Sequence, residues 1–254
     1  MREPAITQAA GLQQIGVQHN ARLVAMVNHG DEQAELPLLW RLCLTWVEYG
    51  YPVTVLDATM RETPDNPGLD QLLENPYMPC SVSNDAAAWS VFPAATGLQT
   101  LCTAHQPMQQ MCAQMGSIFP ADSVVIIYAK AEILTALLPN CALRPILVVS
   151  AAKQSLLTSY QALKRMLSSS KLRPLVVTGT VKGAGDHLAE CARNFLGYEV
   201  KPVHLAMRQD EAPRSADLQG LALRVLESAQ PLSSHWDFPT AAPATAEPNT
   251  WAGN

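Results

Sequence analysis

The chain has little of what would commit it to a metal, a disulfide framework or a nucleic acid. Its six cysteines, at 43, 80, 102, 112, 141 and 191, form no C-x-x-C pair and several lie in apolar runs, the usage of a cytosolic protein with reduced core thiols. The six histidines are scattered, so no metal is expected. There is no G-x-S-x-G elbow and no catalytic triad to build on it. A net charge of −5 leaves no basic footprint, which argues against nucleic acid as a partner. Internal repeats are absent, no apolar run is long enough to cross a bilayer, and residues 1–20 lack the apolar core of a signal peptide.

What is present is the composition of one large α/β domain, with 48% hydrophobic and 15% charged residues. The organising stretch runs from Arg22 to Arg61. Leu23–Val27 is an apolar run of buried-strand length, and Asn28-His29-Gly30-Asp31 breaks it with turn formers. A helix is expected next. Pro37 suits its first turn, Leu38/Leu39, Leu42/Cys43 and Trp46/Val47 share one face, and Gly50 ends it. Val53–Leu56 then forms a second strand with Asp57 at its carboxyl end. Strand, crossover helix, strand implies a parallel pair, and in such a unit the first loop is where backbone N–H groups hold a phosphate. A G-x-x-x-x-G-K-[ST] loop needs glycines, a lysine and a hydroxyl. His29 to Glu35 offer one glycine, no lysine and no Ser or Thr, and add the carboxylates Asp31, Glu32 and Glu35, whose charge would repel a polyphosphate.

The alternation continues downstream. Strands are expected at 88–93, 123–127, 146–149, 175–178 and 200–205, with helices at Met108–Met115 (a methionine stripe read as core), after Val149, after Gly185 and at Asp217–Ser228. On the helix after Val149 the expected buried face is Leu156/Leu157, Tyr160, Leu163 and Met166/Leu167; on the next it is Leu188, Ala192 and Phe195/Leu196. Leu72 to Asp85 reads as irregular. The glycines of 179–185 read as a flexible βα loop. Three segments result: 1–20, an α/β domain over 21–229, and a Pro/Ala/Thr-rich tail over 230–254, expected to be disordered despite Trp236, Phe238 and Trp251.

The order of motifs resembles the MinD/ParA group of P-loop ATPases, the deviant Walker family. That family's first loop reads K-G-G-x-G-K-[ST], and its second strand ends in I-D-A-D before an R-x-P-G-L-D segment. Leu56-Asp57-Ala58-Thr59 stands at the I-D-A-D position, and Arg61 and Pro67-Gly68-Leu69-Asp70 follow in order. ILVVSAAKQSLLTSYQALKRM tracks the family pattern over the strand at 146–149 and the helix after it, and Val91-Phe92-Pro93-Ala94-Ala95 resembles the family's V-x-P-A-x phrase. The resemblance covers roughly residues 7–228. Thr7-Gln8-Ala9-Ala10-Gly11-Leu12 is similar to the D-Q-A-x-x-L-R segment with which the flagellar branch, the FlhG (FleN, YlxH) regulators, engages the GTPase FlhF. Gln8, Ala9 and Leu12 match it.

The resemblance implies a doubly wound, mostly parallel sheet flanked by helices, and a degenerate nucleotide site. Its positions are His29, Gly30, Asp31, Ala34 and Glu35 in the first loop, Asp57 after the second strand, and Tyr128 where the family's D-T/S-P-x-G aspartate would stand. Neither ATP nor magnesium is expected to bind. The implied function is a non-catalytic regulator of flagellar number or placement. Its partners would be an FlhF-type GTPase, flagellar switch proteins or a transcriptional regulator, bound through Gln8, Ala9 and Leu12. The alternatives are an active ATPase with an atypical site and a degenerate subunit of a cellulose-secretion or pilus machine. Homodimerisation and peripheral contact with the inner membrane or cell pole stay open. The apolar face of the last helix, Leu218, Leu221/Ala222 and Val225/Leu226, is read as packing on the sheet.

Overall fold

The computed structural model describes residues 20–76, 89–104, 106–179, 183–205 and 216–232. β1 (Ala21–Val27) leads through α1 (Glu32–Glu48) to β2 (Val53–Asp57), and α2 (Leu69–Glu74) leads to β3 (Trp89–Pro93). Then come α3 (Ala95–Thr103), α4 (Met108–Gly116), β4 (Val124–Ala129), α5 (Ala131–Leu137), β5 (Ile146–Val149), α6 (Lys153–Ser170), β6 (Leu175–Thr178), α7 (Ala184–Leu196), β7 (Val203–His204), α8 (Ala216–Glu227) and β8 (Gln230–Leu232). The sheet order is β3-β2-β4-β1-β5-β6-β7, all parallel, with β8 antiparallel against the start of β1. This is the doubly wound sheet expected from the alternation.

Both faces of the sheet are covered, which is why the central strands are apolar at nearly every position. On one face Val24, Met26, Val55, Ile126 and Tyr128 pack against α1 and α8. The indole N–H of Trp46 in α1 donates to the Ala222 carbonyl of α8 at 3.2 Å, tying the two helices together. On the other face Leu23, Ala25, Val27, Leu56 and Ile127 meet buried residues from α2 through α7. The stripe of the last helix packs on the sheet as read, and Met111 and Met115 are core. Burial pushes the Cys43 thiol up to about 12 and that of Cys112 to about 11, so both stay protonated.

Several expectations are corrected. The first helix begins at Glu32, so Pro37 lies inside it, beyond the first turn, and leaves the Gln33 carbonyl, on an exposed residue, without its helical donor. The stretch read as irregular from Leu72 starts within α2, α3 was not anticipated, and β7 is only two residues long. Residues 230–232, assigned to the tail, form β8, because the apolar side chain of Leu232 is buried beside Ala21. Leu157 and Phe195 are 51% and 75% exposed rather than core-facing. The remainder of the tail, and Gln8, Ala9 and Leu12, lie outside the described residues.

The Pro67-Gly68-Leu69-Asp70 segment has a packing reason. A Cβ on Gly68 would sit 2.0 Å from the Pro93 carbonyl oxygen and 2.8 Å from Glu62 Cγ. Glu62 in turn accepts the N–H groups of Thr96 and Gly97 at 2.7 and 2.8 Å, capping α3. Burial raises the Glu62 carboxyl, but these bonds outweigh it and hold its pKa below the usual range. Gly68→Ala should therefore lower unfolding free energy by about 1–3 kcal/mol in urea titration. Gly220→Ala, where nothing lies within 4 Å of the added carbon, is expected to stabilise α8 by about 0.5–1 kcal/mol.

Candidate functional site

Only Asn28 to Asp31 separate β1 from α1, at the carboxyl edge of the sheet where open α/β folds place ligands. A G-x-x-x-x-G-K-[ST] loop spends about six residues before its lysine, so this connection is too short to wrap a phosphate in that manner. Gly30, at φ +95°, makes the turn. The N–H groups of His29 and Asp31 point inward, and what they meet is a side chain of the same chain.

That side chain is Glu35. It sits in the first turn of α1, fully buried at 0% exposure. Its Oε1 accepts the backbone N–H of His29 at 3.1 Å and of Asp31 at 3.0 Å. Its Oε2 accepts the Tyr128 hydroxyl at 2.5 Å. The His29 ring lies alongside, with Nε2 3.3 Å from Oε1. Nε2 is also 2.7 Å from the Val148 carbonyl of β5, and Nδ1 is 2.8 Å from the Thr158 hydroxyl of α6. Both neighbours of Nε2 are acceptors, so this nitrogen carries a hydrogen. A buried carboxylate is costly unless ligated, and here two amides, a phenol and an imidazole supply the ligation.

The residues around it are set by that charge. Burial, the bond donated to Glu35, and the negative charges of Glu35, Glu32 and Asp57 push the Tyr128 phenol well above its ordinary value, so it remains a donor. Asp31 precedes the helix and accepts the Ser150 hydroxyl at 2.6 Å. Burial raises its carboxyl, but bonds from Ser150 and Ser155, the His29 ring and the Ala34 N–H outweigh this and hold it below the usual range. Ala34 is half-buried, with its N–H on the Asp31 carbonyl at 2.9 Å. Asp57 lies in register with Tyr128 across the β2–β4 pair but is engaged locally, accepting the N–H and hydroxyl of Thr59 at 2.8 and 2.7 Å. The structure thus brings His29, Asp31, Glu35 and Tyr128 into one network, while Asp57 caps its own turn beside it. Ser150, Val148 and Thr158 also belong to the network, and only their distance in sequence concealed them.

A magnesium-bound triphosphate needs a lysine, a hydroxyl ligand and free backbone donors. The first loop supplies neither lysine nor hydroxyl, the Ser150 hydroxyl is engaged by Asp31, and Glu35 engages the donors of His29 and Asp31. The residues do not fit that ligand. Among the described residues no cluster of His, Cys, Asp and Glu could hold a metal, and no helix is long and apolar enough to cross a membrane.

A parallel sheet in this order, with its strand–loop–helix unit on the central strand, defines an α/β domain of the P-loop nucleotide-hydrolase type. More narrowly, the fold is that of the MinD/ParA-like P-loop proteins. A ParA family ATPase from Chlorobium tepidum TLS superposes with a TM-score of 0.52 at 9% identity, over 81% of this chain and 98% of that one. Cobyrinic acid a,c-diamide synthase from Mycobacterium smegmatis, with bound ADP and magnesium, gives a TM-score of 0.52 at 12% identity, over 82% of this chain and 94% of that one. No protein-family model matches the sequence, and no curated protein matches it.

Glu35→Gln puts an amide NH2 among groups that are all donors. It should lower stability by about 2–4 kcal/mol in urea titration, with Tyr128→Phe costing about 1.5–3 kcal/mol. Because the two share one bond, the double variant is expected to lose less than the sum; full additivity would mean the network does not act as a unit.

Proposed function

We propose that this chain is a non-catalytic MinD/ParA-like protein that acts by contact with partners rather than by hydrolysing ATP. The observation that carries this reading is the Glu35 carboxylate on the N–H groups of His29 and Asp31, donors of the kind that grip phosphate in this fold. Phosphoryl transfer depends on positioned cations and donors, and a fixed carboxylate in their midst opposes both binding and charge stabilisation. An exposed aromatic face is consistent with work by contact: Trp40, 54% exposed, meets Trp89 edge-to-face at 5.0 Å, beside Val91 on the sheet's edge strand.

Within this reading, the resemblance at Gln8, Ala9 and Leu12, placed before a MinD-like first strand, supports an FlhG-like role in flagellar number or placement. The partners would be an FlhF-type GTPase, switch proteins or a transcriptional regulator.

Two measurements test these statements separately. With magnesium and ATP, phosphate release should stay at the buffer rate and the backbone amide resonances of His29 and Asp31 should not move. Turnover, or magnesium-dependent shifts at those two amides, would show an active site and sink the non-catalytic reading. Purified FlhF-type GTPase should be retained by the full chain and lost on deletion of residues 1–20. Equal retention by both would remove Gln8, Ala9 and Leu12 from the interface, and no retention by either would remove the flagellar assignment while leaving the first result untouched.

A further inference from the structure

On the far side of Gly30 from α1, a cleft of about 650 Å³ opens between the β1 loop, the start of α5 and the outer face of α6. Its volume lies within the range of small-molecule sites. Three cations line it, Lys130, Lys164 and Arg165, against one carboxylate, Glu132, which pairs with Arg165 at 3.6 Å. In a chain of net charge −5 this is a local excess of positive charge, in a concave site where fields are focused. At its floor is Asn28, 8% exposed, whose carboxamide has no hydrogen-bond partner among the described residues. No buried side-chain polar atom among the described residues is left without a partner, so the Asn28 carboxamide is open to the cleft, the side from which a ligand can reach it. The hydroxyl of Thr158 on the same wall is already committed to His29 and to the Gln154 carbonyl.

We infer that this cleft binds a soluble, phosphorylated small molecule carrying at least two negative charges. Lys164, Arg165 and Lys130 would meet its phosphate oxygens, and the Asn28 carboxamide would donate to one of them. Arg165 can exchange its exposed bond with Glu132 for a phosphate at small cost, because a solvent-exposed ion pair contributes little. The cleft borders His29 and Gly30 of the first loop but needs neither the donors that Glu35 occupies nor a metal, so the inference does not depend on the non-catalytic reading.

Inorganic pyrophosphate, titrated calorimetrically into the full chain without magnesium, is the probe. Binding below about 1 mM is expected, with movement of the Asn28 side-chain NH2 resonances, and the double variant Lys164→Ala/Arg165→Ala should weaken it about tenfold or more, equivalent to about 1.4 kcal/mol. Both side chains are exposed, so the variant should melt with the native protein, which a thermal scan verifies. No heat and no movement at Asn28 with 5 mM probe, on the order of five times the expected limit, would overturn the inference. So would equal affinity in the double variant, which would mean general surface association. Binding that requires magnesium and shifts the His29 and Asp31 amides would overturn both this inference and the non-catalytic reading, whereas magnesium-free binding lost in the double variant supports the cleft and leaves that reading untouched.

Discussion

A single buried charge organises the functional end of this molecule. The Glu35 carboxylate is out of water entirely, and an ion of that size in a low-dielectric interior costs several kcal/mol unless its oxygens are met by donors. Every structural choice around the β1 loop meets that demand. The loop is short, so its amides converge; Gly30 takes the left-handed turn that aims them; Tyr128 stands at the end of β4 with its hydroxyl held as a donor; and His29 bridges to β5 and α6. Remove the charge and these donors face one another.

The arrangement inverts the logic of the fold it occupies. A strand–loop–helix unit on the central strand of a parallel sheet presents backbone donors to an anion, and in a nucleotide hydrolase the anion arrives with the ligand. Here the anion on the His29 and Asp31 amides is a side chain of the same chain, and that contact contributes to the fold. The network also reaches outward: Ser150 holds Asp31 and Thr158 holds His29, coupling the loop to the beginning of α6, whose outer face forms the wall of the basic cleft.

Much of the fold was legible because its signals are local. A strand buried on both faces must be apolar at nearly every position, so Leu23–Val27, Val53–Leu56, Ile146–Val149 and Leu175–Thr178 stand out from any neighbouring text. Helix faces were legible where the stripe was continuous, as in Leu218 to Leu226. The reading failed where two apolar residues are adjacent in sequence and only one can face the core, as with Phe195 beside Leu196 and Leu157 beside Leu156. It failed also at Pro37, whose preference for a first turn was overridden by the five helical residues before it.

From sequence alone, the absence of lysine and hydroxyl in the first loop and the excess of carboxylates were plain, because residue identity is enough to tell that the usual phosphate chemistry is missing. What became of those carboxylates was decided only by tertiary structure. Asp31, Glu32 and Glu35 read alike as repelling charges, yet Glu32 points to solvent, Asp31 takes a hydroxyl from Ser150, and Glu35 turns inward to become the loop's own ligand. The difference depends on partners 93 to 129 residues away, Tyr128, Val148, Ser150 and Thr158, brought to one point by the strand order of the sheet. No local pattern encodes that convergence, because the sign of a charge says what it attracts and only the path of the chain says what it meets.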